Sequence, residues 1–246
     1  MGSTLKPVSE LKEKGYDPGY AAYCDHTVLR AYTTSDIVKD FCKEAIQYGA
    51  AAVCVNPVHV ALVKQCLEGS GIRTATVIGF PLGANKPCTK AFEAAEAVKD
   101  GADEVDMVIN IGALREGNDD LVFKDIAGVV KAAAGKARVK VIIETCYLTD
   151  EEKIRACRLS MKAGADFVKT STGMGTGGAC AGDIRLMKET VGDAMEVKAS
   201  GGVDSRETAY EMLQAGASRL GVSKVPQIVN DDTSLISASK RNQPPA

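Results

Sequence analysis

A short pattern recurs four times along the chain: Gly-Ala, two variable residues, then an apolar one. It appears as Gly49-Ala50-Ala51-Ala52-Val53, Gly101-Ala102-Asp103-Glu104-Val105, Gly164-Ala165-Asp166-Phe167-Val168 and Gly216-Ala217-Ser218-Arg219-Leu220. The glycines are spaced by 52, 63 and 52 residues (49 to 101, 101 to 164, 164 to 216). Each follows a helix-like segment, where a glycine can adopt the left-handed conformation that ends a helix and turns the chain into a strand. One strand-plus-helix unit needs about 25–30 residues, so each interval holds two units, and the chain holds eight.

Apolar runs occur where that arithmetic requires them. Strands are expected near 20–25, 51–55, 73–79, 103–109, 138–144, 166–170, 195–199 and 218–221. Helical patterns lie between them at 34–48, 57–68, 88–99, 119–134, 149–163, 180–191 and 205–214, with a short one after 223. Alternating strand and helix implies a parallel sheet. Eight units closing on themselves make an α/β fold, a single (β/α)₈ TIM barrel, and 246 residues suit one such domain. A doubly wound open sheet is the alternative, but no GxGxxG follows the first strand. Residues 1–18 read as a short N-terminal extension, 19–230 as the barrel, and 231–246 as a flexible polar tail.

The charge balance, 30 Lys and Arg against 32 Asp and Glu, argues against a nucleic-acid partner held by a basic field. No apolar run approaches 18 residues, so no membrane span is expected. The start lacks an apolar signal core, and the eight cysteines are scattered without CxxC spacing. They read as reduced thiols of a cytoplasmic protein. His26 and His59 have no partner at metal-ligand spacing, so no metal site is expected.

In such a barrel the chemistry gathers at the carboxyl ends of the strands. Two lysines stand there in matching contexts. Lys169 ends an apolar run and opens Thr170-Ser171-Thr172-Gly173; Lys198 does the same before Ala199-Ser200-Gly201-Gly202. A buried ammonium loses its water, and a second one nearby pushes its pKa down further. The pair therefore suggests an amine tuned to be neutral and nucleophilic. Asp106 lies inside a strand with apolar residues on both sides, so it must be paired or hydrogen-bonded. Its competing reading is a structural salt bridge with one of the lysines. Asp25, Thr27 and Glu144 also fall at strand ends. Asp25 can equally cap the following loop, and Cys54 reads more readily as a buried hydrophobe than as a nucleophile.

Glycine turns follow the last strands: Gly173, Gly201-Gly202, and Gly221-Val222-Ser223. Backbone amides in such turns approach anions closely, and barrels often bind phosphate after strands seven and eight. An activated lysine, a second lysine, a carboxylate and a phosphate clamp suit carbon–carbon chemistry through an imine, with no cofactor required.

Five segments then carry a family resemblance: Asp25-His26-Thr27-x-Leu29, Val77-Ile78-Gly79-Phe80-Pro81-Leu82-Gly83, Glu104-Val105-Asp106-Met107-Val108-Ile109-Asn110, Val168-Lys169-Thr170-Ser171-Thr172-Gly173, and Val197-Lys198-Ala199-Ser200-Gly201-Gly202-Val203. The chain resembles the deoxyribose-phosphate aldolases, class I aldolases with a (β/α)₈ fold. The resemblance implies reversible cleavage of 2-deoxy-D-ribose 5-phosphate to acetaldehyde and D-glyceraldehyde 3-phosphate. It implies a Schiff base on Lys169, pKa lowering by Lys198 and proton relay through water by Asp106. Asp25, Thr27 and Thr172 would bind substrate; Gly173, Gly201, Gly202, Gly221 and Ser223 would hold phosphate. The partner implied is a small phosphorylated sugar, and a homo-oligomer, dimer or tetramer, is left open. After the last strand the family usually has Gly-Thr-Ser and then a small residue; here Val222 and Lys224 depart from it. A transaldolase-like or keto-acid aldolase, and a non-catalytic phosphosugar-binding barrel, are the competing readings.

Overall fold

The computed structural model describes residues 5–241. Eight parallel strands form one closed barrel in sequence order: β1 Cys24–Val28, β2 Ala52–Val55, β3 Arg73–Ile78, β4 Glu104–Val108, β5 Arg138–Ile142, β6 Phe167–Lys169, β7 Glu196–Ser200 and β8 Arg219–Val222. Closure is made by β8 against β1, with Asp25 opposite Gly221. The helices are α1 Ser35–Tyr48, α2 Val60–Cys66, α3 Pro87–Lys99, α4 Ile111–Arg115, α5 Asp119–Ala133, α6 Asp150–Ala163, α7 Ala181–Val191, α8 Arg206–Gln214, α9 Val225–Asn230 and α10 Ala238–Arg241.

The repeated glycines do what the pattern requires. Gly49, Gly101, Gly164 and Gly216 have φ of 75°, 103°, 80° and 113°, and they lead into β2, β4, β6 and β8. A side chain at those angles would be strained, so glycine is the residue that lets each helix stop and the next strand begin at once. The longer middle interval contains the extra helix α4, whose start is capped by Asn110 Oδ1 accepting from Ala113 N.

Three local readings differ from the structure. β1 begins at Cys24, and the preceding Pro18–Tyr23 is a 3₁₀ helix with Asp17 as its cap. Proline at the first helical position and the Asp17 carboxylate accepting from Gly19 N favour that turn over a strand. The segment read as 57–68 is a short 3₁₀ turn, Pro57–His59, followed by α2. Over its described part, residues 231–241 are not a free tail. Ser237 and Ala238 are buried, Ala238 N donates to Glu44 on α1, and Gln227 Nε2 donates to Leu235 O and Ser237 Oγ. Residues 242–246 lie outside the described residues.

Strand side chains alternate between two environments. One set, including Val105, Met107, Val139, Val141, Val168 and Val197, packs with helix residues such as Ile126, Val129, Ile184 and Met187 in the main core. The other set points into the barrel. There Ala52, Cys54, Ala75 and Val77, from β2 and β3, form a small separate cluster. The remaining strands fill the interior with charge, and that division positions the site.

Candidate active site

Among the described residues, seven charged side chains occupy the barrel interior: Asp25, Glu104, Asp106, Lys140, Lys169, Lys198 and Arg219, all buried. They contribute three carboxylates and four cationic groups. At the amino-terminal level Arg219 Nη1 lies 2.7 Å from Asp25 Oδ1 and 3.1 Å from Glu104 Oε2. Above it, Lys140 Nζ lies 2.5 Å from Glu104 Oε2, 2.8 Å from Asp106 Oδ1 and 3.5 Å from Asp25 Oδ2. Lys198 donates to Asp25, and also to Asp106 Oδ2 at 2.7 Å. Lys169 donates to the same Asp106 Oδ2, likewise at 2.7 Å. One carboxylate, Asp106, therefore serves three ammonium groups. Lys169 and Lys198 stand opposite each other in the register of β6 and β7.

The electrostatics separate the two lysines. Burial disfavours the charged form of Lys169, and the Lys198 ammonium adds repulsion; Asp106 opposes both, and the net shift is downward. Burial acts on Lys198 too, but Asp106 and Asp25 together outweigh it and hold its pKa above the ordinary value. Asp106 stays ionised far below the usual carboxylate range: burial alone would raise it, and Lys140, Lys169 and Lys198 reverse the sign. The arrangement is one lysine kept charged beside one pushed toward neutrality. Lys169 also keeps a little solvent contact, 4% of its side chain against 0% for Lys140 and Lys198.

A cavity of about 410 Å³ opens at the carboxyl ends of the strands. Thr27, Thr172, Gly173, Gly201, Gly202, Gly221 and Ser223 line it, together with Arg30, Tyr32, Lys224 and Ser239. Its glycine wall is tight. An added Cβ on Gly178 would lie 2.2 Å from Gly201 O, and one on Gly201 would lie 3.1 Å from Gly178 Cα. Gly202, with φ 79°, has nothing within 4 Å of such a Cβ and faces open space. Glu144, itself at φ 56°, fixes the loop after β6 by accepting from Thr172 N at 3.2 Å and from the Thr172 hydroxyl. Thr170 Oγ1 and Ser200 O join the two lysine-bearing strands at 3.1 Å.

The expected site residues fall into two layers. Thr27, Thr172 and the expected phosphate glycines, with Ser223, share the cavity. Lys169, Lys198 and Asp106 form the network beneath. Asp25 belongs with the network: it is fully buried between Lys198 and Arg219, so its carboxylate faces cations rather than the cavity. Gly221 has a second use, because a Cβ there would sit 2.8 Å from Ser200 Cβ and 3.2 Å from Lys198 Cε. The expectation that Asp106 acts by hydrogen bonding and water relay meets a carboxylate that accepts directly from both lysines, at 2.7 Å each. Cys54 is buried, and burial pushes its thiol up to about 11, with Asp106 adding in the same direction. Lys140, Glu104 and Arg219 were not singled out from the sequence. A signal is present for the first two: in Arg138-Val139-Lys140-Val141 and Glu104-Val105-Asp106, charges alternate with apolar residues at the strand period.

Fold and site together define a lysine-centred (β/α)₈-barrel enzyme. Residues 20–223 match the model of the DeoC/LacD family aldolases, and the chain belongs to that family. A deoxyribose-phosphate aldolase from Geobacillus sp. (strain WCH70) is 57% identical over 213 residues, covering 87% of this chain and 96% of that protein. One from Bacillus cereus (strain ATCC 10987 / NRS 248) is 59% identical over 212 residues, 86% of this chain and 95% of that one. The solved structure of deoxyribose phosphate aldolase from Aeropyrum pernix, described as a unique tetramer, is 32% identical with a TM-score of 0.80, covering 86% and 90% of the two chains. Among the described residues no helix is long and apolar enough to cross a membrane.

Proposed function

We propose that this protein is a class I deoxyribose-phosphate aldolase that cleaves 2-deoxy-D-ribose 5-phosphate reversibly to acetaldehyde and D-glyceraldehyde 3-phosphate. The observation that carries the mechanism is the sharing of Asp106 among three ammonium groups, of which only Lys169 keeps solvent contact. The neutral amine of Lys169 adds to the C1 aldehyde of the open-chain sugar, and loss of water gives a protonated imine. The C3 hydroxyl gives up its proton, the C2–C3 bond breaks, and its electron pair passes into the imine to form an enamine. C3 leaves as the aldehyde carbon of glyceraldehyde 3-phosphate. Protonation at C2 and hydrolysis release acetaldehyde and regenerate the amine.

Lys198 remains an ammonium and keeps the Lys169 amine from holding its proton. Asp106 orients both amines and exchanges protons through water. Asp25 holds Lys198 from below. Thr27 and Thr172 face the sugar, and the amides of Gly173, Gly201, Gly202 and Ser223 receive the phosphate with help from Lys224. Gly221 leaves room for the Lys198 side chain.

The scattered free cysteines and the phosphorylated sugar support a place in cytoplasmic deoxyribonucleotide breakdown. The Aeropyrum pernix tetramer supports a homo-oligomer. The test is turnover: release of glyceraldehyde 3-phosphate from deoxyribose 5-phosphate, followed by a coupled dehydrogenase. Turnover of a ketose donor with none of deoxyribose 5-phosphate would instead favour a transaldolase-like enzyme.

A further inference from the structure

The barrel interior has more cationic groups than carboxylates. A dry interior tolerates net charge poorly, so one of the four cations is under pressure to lose its proton. Arg219 does not deprotonate. Which lysine yields depends on how the three carboxylates are divided.

Lys140 decides that division. Its ammonium is fully buried on β5 and touches all three carboxylates: Glu104 at 2.5 Å and Asp106 at 2.8 Å from β4, and Asp25 at 3.5 Å from β1. From β6 the Phe167 ring lies 5.7 Å away. Arg219 on β8 approaches the same Glu104 and Asp25, and Arg73 on β3 reaches Glu104 at 3.7 Å. The Cys54 thiol on β2, within electrostatic range, stays neutral. Lys169 and Lys198 hold the other oxygen of Asp106.

We propose that Lys140 is a positioning residue for the reaction: by holding one oxygen of Asp106, it prevents that carboxylate from neutralising Lys169 and leaves the imine-forming amine as the surplus cation of the interior. The inference rests on Lys169 being that amine. Lys140 touches neither substrate nor the reacting atoms. It acts through Asp106, and the direction of the Lys169 shift agrees with it.

The charge count makes opposite predictions for two substitutions. In Lys140→Met three cations face three carboxylates, so Lys169 can keep its proton. The acid limb of the kcat/KM profile should move up by about one pH unit, roughly a tenfold loss below it. In Glu104→Gln four cations face two carboxylates, and the limb should move down. The double variant restores a surplus of one cation and should return the limb toward its original place. A merely structural role would lower activity by the same factor at every pH. That uniform loss, or both single variants moving the limb the same way, would overturn the proposal. If Lys140→Met does not fold, Glu104→Gln still decides it: a limb that stays in place or moves up overturns the proposal. Borohydride trapping on the unaltered enzyme runs alongside. An acetaldehyde adduct away from Lys169 defeats both this inference and the functional reading; an adduct on Lys169 with unmoved profiles defeats the inference alone.

Discussion

Among the described residues, a buried lysine–carboxylate pair between helices and another inside the barrel behave differently. Outside the sheet, Lys90 on α3 places Nζ 2.5 Å from Asp125 Oδ2 on α5 and 2.8 Å from Val108 O. Inside the sheet, Lys169 meets Asp106. Burial is the leading influence on both lysines and lowers both. In the helix layer burial also raises Asp125, since a single lysine does not reverse its effect. Inside the barrel three ammonium groups drive Asp106 far the other way. Lys90 is sealed, whereas Lys169 keeps a little solvent contact below a cavity. Desolvation alone therefore perturbs a lysine without making it useful. On the proposed mechanism, reactivity needs a shared counter-charge, which stays ionised without cancelling the amine, and a path to substrate.

That contrast can be broken most sharply at Lys169. Lys169→Met should abolish imine formation and cut kcat/KM by roughly 10⁴-fold or more while the fold persists; steady-state kinetics with circular dichroism checks both halves. Lys198→Leu should come next, with a loss on the order of 10²–10³-fold near pH 7. The sign follows from two changes acting together: repulsion on Lys169 disappears, and Asp106 is left with fewer competitors for its charge. The Lys169 pKa then rises, fewer amines are free at neutral pH, and the deficit should shrink toward pH 9–10. A loss equal at all pH values would mean that Lys198 acts by position or proton transfer instead.

The helix-layer pair supplies the control. Lys90→Met strands Asp125 and should cost about 3 kcal/mol of stability, read as a lower denaturation midpoint. The kcat/KM of the folded fraction should stay within about twofold, and a large kinetic defect would erase the distinction between the sites. The smallest effect is expected at the cavity rim. Lys224, half-paired with Asp204 at 3.2 Å, should contribute only about 1 kcal/mol to phosphate binding. Lys224→Ala should raise KM a few-fold for deoxyribose 5-phosphate and leave unphosphorylated deoxyribose unchanged. Because Val222 replaces the usual Thr, the native enzyme should also favour phosphorylated substrate less than relatives with the intact turn; equal discrimination would show that the missing hydroxyl is compensated.

The architecture was legible because its signal is local. A helix that stops and re-enters a strand at once needs a left-handed residue, and Gly49, Gly101, Gly164 and Gly216 mark those stops in the sequence itself. The Lys169 and Lys198 strand ends were legible for the same reason. The first strand was not, because Tyr20, Ala21 and Tyr23 are apolar whether they pack as a 3₁₀ helix or as a strand. The division of charge was also hidden. Lys140 and Glu104 stand out only as alternating charges and Arg219 as a lone charge in its strand, and their partners are set by barrel closure, which brings Asp25 of β1 to Lys198 of β7 and Arg219 of β8. The backbone at Glu144, left-handed and bonded to the Thr172 loop, likewise depends on a contact beyond its own strand, 28 residues along the chain.

The central claim is that one amine, Lys169, is held ready to form an imine. Reducing the enzyme with borohydride in the presence of acetaldehyde, then mapping the product by peptide mass spectrometry, tests it most directly. A two-carbon adduct confined to the peptide containing Lys169, with Lys140 and Lys198 unmodified, is the predicted result. An adduct that maps reproducibly to Lys198, or none at all in an enzyme that still turns over deoxyribose 5-phosphate, would contradict it.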